Sequence, residues 1–79
     1  MNVTYDTIAD AVYLSVGEGR VKNTLKLQKN LNVDMDGTGR IVGIEILEAS
    51  SQESLVASLK KNVEAGIPIS ISQATPQLA

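Results

Sequence analysis

The chain of 79 residues contains no cysteine, no histidine, no tryptophan and no phenylalanine, and only two tyrosines. Without cysteine there is no disulfide framework and no thiolate metal site. Without histidine the usual proton shuttle and zinc ligand are gone, and with them every Ser-His or Cys-His mechanism. The shortage of aromatics removes the rings on which a cofactor pocket, a base-stacking surface or a membrane belt is normally built. Charge of one sign is lacking too: seven basic against nine acidic residues give net −2, which is no polyelectrolyte. No apolar run approaches a membrane span, and the first residues carry neither a basic cap nor an apolar stretch of secretory type. These absences leave one small domain of mixed α and β structure, expected in the cytoplasm, with no cofactor, no metal and no membrane partner.

The residues that are present read as strands first and a helix late. Asn2 to Tyr5 is β-prone and ends at Asp6, whose carboxylate suits a single turn over Thr7 to Asp10. Ala11 to Val16 follows, with Val12, Leu14 and Val16 on one face. After Gly17-Glu18-Gly19, Val21 to Gln28 alternates, placing Val21, Asn23, Leu25 and Leu27 together. Lys29-Asn30 reads as a tight turn in which Asn30 tolerates left-handed geometry. Leu31, Val33 and Met35 alternate with Asn32, Asp34 and Asp36, and Gly37-Thr38-Gly39 leads into Ile41 to Leu47. There Val42, Ile44 and Ile46 share one face, and Val33 belongs beside Val42 or Ile44, since a one-residue slip would turn an apolar row to water. Lys22, Lys26, Asn32, Asp34 and Glu45 collect on the other face.

Ser50-Ser51-Gln52-Glu53 fits a capping box opening a helix with an apolar stripe of Leu55, Val56, Leu59 and Val63. Gly66, in left-handed geometry, and Pro68 stop it. Ile67, Ile69 and Ile71 alternate in a sixth short strand that Pro68 confines to an edge. The fold class expected is α+β: a small antiparallel β-meander of about five strands, one C-terminal α-helix on one face and a short C-terminal edge strand. Residues 1–72 form the domain and 73–79 a loose tail.

Three patterns bear on function. Asn32 to Gly37 imitates the first half of an EF-hand loop, but Gly43 stands where the bidentate Glu is needed and no helix flanks it. Strand alternation followed by a hairpin accounts for the same residues. Arg20, Lys22, Lys26 and Lys29 could follow a phosphate backbone, yet interleaved acids and missing aromatics favour a solvated sheet face. Asp6, Asp10 and Glu45 are the only candidates for a catalytic carboxylate group. A turn carboxylate accepting backbone amides is the plainer account of Asp6 and Asp10.

Tyr5-Asp6-Thr7-Ile8-Ala9-Asp10-Ala11-Val12-Tyr13-Leu14 resembles the opening signature of a small prokaryotic family, the domain of unknown function 2283. The resemblance continues through Asn32 to Asp36 and through Gly43 to Ser50, covering roughly residues 1–50. It implies a mainly antiparallel β domain from bacteria or archaea, with Tyr5, Asp6, Asp10, Tyr13 and Glu45 as hallmark positions and no established activity, substrate or cofactor. Such families are associated with two-gene arrangements of toxin–antitoxin type.

The functional expectation is therefore a non-enzymatic module, homo-oligomeric or bound to another small protein. The alternatives are a small hydrolase or ligand-binding protein using Asp6, Asp10 and Glu45, and a nucleic-acid accessory using the basic group. Oligomerisation is expected because so small a core has no disulfide or metal to help it, with residues 55–71 supplying much of the contact.

Overall fold

Alternating apolar rows need a common surface to bury, and in the computed structural model they find it on one side of a single sheet. The structure describes residues 2–66, the side chain of Val63 excepted. Five strands follow in order: β1 (Asn2–Asp6), β2 (Ala11–Ser15), β3 (Asn23–Gln28), β4 (Leu31–Met35) and β5 (Ile41–Leu47). A short 3₁₀ turn, η1 (Ala49–Ser51), and the helix α1 (Glu53–Glu64) complete the α+β architecture. The expected edge strand over 67–72 and the tail 73–79 lie outside the described residues.

All strand pairs are antiparallel, and the spatial order is β1-β2-β5-β4-β3. The strands are those expected, but they do not run across the sheet in sequence order. The connection after β2 passes to the far edge, and β5 returns to sit between β2 and β4. The reason is burial: β5 is the most apolar strand, and a central place covers both its edges as well as its inner face.

Val12, Leu14, Leu31, Val33, Ile44 and Ile46 form the buried row of the sheet, closed by Ala49 and Leu59. Val33 lies opposite Ile44, which settles the register. Val42 departs from the expected row. The pairs Asp34–Gly43 and Met35–Ile41 leave Val42 as an extra residue on β5, so Ile41, not Val42, packs against the core. The Val42 carbonyl accepts the amides of both Val16 (2.9 Å) and Gly17 (3.1 Å). A bulge of this kind shifts the alternation by one residue. A second irregularity at Leu27 brings that residue against the core and carries the chain into the Lys29-Asn30 turn. Asn30 has no need of the left-handed conformation expected for it; that region is occupied by Asp10, Glu48, Gly39 and Gly66.

The capping box is replaced. Ser50 belongs to η1, and the first α-helical turn closes from the Val56 amide to the Gln52 carbonyl (3.1 Å). Ser50 is taken by Asp10: its amide and hydroxyl both donate to that carboxylate, the hydroxyl at 2.7 Å. A charged acceptor outcompetes the helix's own first turn for the serine. Gly66 ends the helix at φ 75°, the left-handed stop expected there.

Candidate functional site

Asp6 precedes and Asp10 closes the four-residue turn between β1 and β2, and each does a separate structural task. The Asp6 carboxylate accepts the amides of Ile8 and Ala9, both at 3.0 Å, as expected of a turn cap. Asp10 sits in the left-handed region at φ 52°, a conformation that Asp tolerates through local hydrogen bonds. Its carboxylate accepts the Tyr5 hydroxyl (2.7 Å) and the Ser50 pair, while its carbonyl accepts the Ala49 amide (2.9 Å). These bonds fasten the first turn of the chain to the start of the helical region, forty residues later. The hydrogen bond from Ser50, followed by that from Tyr5, holds the Asp10 carboxyl below the usual carboxylate range.

Glu45 is elsewhere. It stands on the opposite face of the sheet, paired in register with Tyr13 and Asn32, and accepts the Asn32 amide at 3.1 Å. The three acidic candidates therefore do not converge. Among the described residues no three acidic side chains are grouped to hold a metal ion. The Ser50 hydroxyl, at 2.7 Å from the Asp10 carboxylate, is part of the latch between the turn and the helical region.

On that polar face lies a cluster the sequence reading did not pick out. The Tyr13 hydroxyl donates to Asp34 (2.7 Å), and Thr24 donates to the other oxygen of the same carboxylate (2.7 Å). The Tyr13 ring lies over Gly43, where a Cβ would overlap the hydroxyl and the ring carbons. Burial, reinforced by the Asp34 hydrogen bond, pushes the Tyr13 hydroxyl up to about 12. A lone glycine inside an apolar strand is the available sequence signal for such a close approach. Asp36 was likewise missed as a turn former: one oxygen accepts the amides of Thr38 (2.8 Å) and Arg40 (3.0 Å) and the Thr38 hydroxyl (2.7 Å). The apparent calcium half-loop is thus divided between β4 and this turn.

The basic group is spread out. Lys26 lies opposite Asn32 on the polar face, Lys22 leans over Gly37, Lys29 occupies the β3–β4 turn and Arg20 the loop before β3. Asp34 and Glu45 stand on the same face, which makes it a mixed-charge surface.

A concave feature lies on the helix side, beside β1. An open cleft of about 450 Å³ runs between Tyr5 and Val12 on the sheet and Val56, Ala57 and Lys60 on α1, with Ala49, Ser50 and Glu53 at its end. Its lining is chiefly apolar carbon, and Glu53 and Lys60 stand two helical turns apart on one wall. The hydroxyls of Tyr5 and Ser50 are both committed to Asp10. The cleft offers shape and apolar surface with charges at its rim.

Residues 2–50 match the family described as Protein of unknown function (DUF2283). The chain belongs to DUF2283. The match ends at the residue that Asp10 captures, so the DUF2283 region comprises the sheet and its latch, and α1 follows it. No curated protein and no solved structure matches the chain. Among the described residues no helix is long and apolar enough to cross a membrane.

Proposed function

We propose that the protein is a non-enzymatic interaction module, assembling with copies of itself or with another small protein. The observation that carries this reading is the open sheet: β1 has one edge without a strand neighbour among the described residues, alongside an apolar cleft and a Tyr5 side chain 51 % exposed. Unpaired strand edges with apolar flanks are what protein partners recognise by strand addition. The dispersal of Asp6, Asp10 and Glu45 into separate hydrogen bonds favours this over hydrolysis. A narrower form makes it an accessory component of a two-gene toxin–antitoxin-like system in the prokaryotic cytoplasm; co-purification with the product of an adjacent gene would support that form.

Sedimentation equilibrium at low micromolar concentration, with co-purification from the native host, tests the reading. The expected result is an assembly heavier than the 8.4 kDa chain. A single 8.4 kDa species that retains no protein partner would overturn it.

A further inference from the structure

Among the described residues β1 and β3 are the two outer strands of the sheet, and they are built differently. The β3 edge carries Lys26 within the strand and Lys22 just before it, and its ladder to β4 is broken by the irregularity between Lys26 and Gln28. Lysines and bulges are the devices by which sheets keep an edge from pairing. β1 has neither. Its sequence, Asn-Val-Thr-Tyr-Asp, contains no Lys, Arg or Pro, and its five pairs with β2 run without a shift. Its one charge, Asp6, is at the end and already holds two turn amides.

We infer that a second copy of this chain pairs with β1, antiparallel, about a two-fold axis through Thr4. This rests on the self-assembling form of the function proposed above. A two-fold axis perpendicular to the sheet leaves every side chain on its own face, so the register must set one residue opposite itself. Centring on Thr4 engages all five residues of β1. Thr4 then faces Thr4, Val3 faces Tyr5, and Asn2 faces Asp6, with no like charges opposed and with an amide donor set against a carboxylate. Val3 of the partner subunit comes beside Tyr5 at the side of the cleft, covering apolar surface that β1 leaves open. The same operation on β3 fails on charge. Centring on Thr24 sets Lys22 against Lys26, centring on Lys26 sets it against itself, and centring on Leu25 crowds Lys22 and Lys26 of both copies along diagonals. The axis through Thr4 also runs the two α1 helices antiparallel.

The absence of cysteine makes the test direct. Thr4→Cys, mildly oxidised with copper phenanthroline as electron acceptor, is expected to give a covalent dimer through two thiols facing across the axis. Leu25→Cys on β3 is expected to stay uncrosslinked. Thr4→Lys opposes two ammonium groups at the axis; with an unchanged circular dichroism spectrum, it is expected to sediment at 8.4 kDa where the parent sediments at twice that mass. If Thr4→Lys does not fold, crosslinking at Thr4 decides alone. A parent dimer that crosslinks at Leu25 but not Thr4, or that survives Thr4→Lys, would overturn the β1 assignment while leaving self-assembly standing. A parent that sediments at 8.4 kDa overturns both.

Discussion

Gly43 and Tyr13 show how one missing side chain shapes a surface. Gly43 lies in the most apolar strand, yet its role is to leave room for the Tyr13 ring, whose hydroxyl then reaches Asp34. Gly43→Ala is expected to cost about 1–3 kcal/mol, the range for forcing an extra carbon into filled space, read by urea denaturation. In a Tyr13→Ala background the same substitution should lose most of that cost, because the obstructing ring is gone. Tyr13 also carries a pH signature. Its folded value is pushed up to about 12 from an ordinary 10.0, so the unfolded chain gives up this proton first as pH rises. The associated stability is complete below pH 10, falls between 10 and about 12, and is absent beyond. Comparing urea midpoints of the parent and Tyr13→Phe across that window isolates it, since other groups titrate equally in both.

At the scale of elements, the strands could be read from alternation while their partners could not. Alternation at Ala11–Ser15, Leu31–Met35 and Ile41–Leu47 depends only on which residues avoid water, and each of those strands is where the pattern puts it. Strand order and bulges depend on non-local competition. Nothing local to Val42 says that its carbonyl will take two amides from the end of β2, and that event moves Ile41 into the core row. Ser50 teaches the same lesson. Its sequence neighbourhood favours a helix cap, and a carboxylate forty positions earlier takes it instead. Of the candidate acids, the Asp6 turn was legible because it is local; the Asp10 latch and the Asp34 cluster were not, because their partners are remote in sequence. The latch has a pH consequence. Asp10 is lowered from 3.8 in the fold, so its contribution is present above that value and is lost as pH falls below it through the folded value. Asp10→Asn should flatten the acid side of the stability profile below pH 4, measured by thermal melts. A residual slope is expected from Asp36, which is also lowered, chiefly by the Thr38 hydroxyl.

At the scale of the molecule, the sheet and the helix of the described residues make a small core, and a chain of 79 residues leaves little margin. Among the described side chains of α1, Leu59 is fully inside, whereas Leu55 and Val56 are half-buried, and Val21 and Leu25 near the β3 edge are 49 % and 43 % exposed. Assembly with a second copy would add the missing burial, and mass action then ties stability to concentration. Thermal midpoints are expected to rise as the protein is taken from low micromolar to near-millimolar concentration. A midpoint independent of concentration would argue for a fold that stands by itself.

The position of β5 bears on how the chain reaches this state while it is being made. The hairpins β1–β2 and β3–β4 join neighbours in sequence and can each form once their own residues have left the ribosome. Two-stranded hairpins are marginal by themselves in water. Among the described residues, the last strand to be synthesised is also the one that fits between them, so the two hairpins are not joined until residue 47 has emerged. Synthesis therefore passes through a stage in which the inner edges of β2 and β4 both wait for the same strand, and these five strands are joined by an insertion in the middle, not by growth from one side.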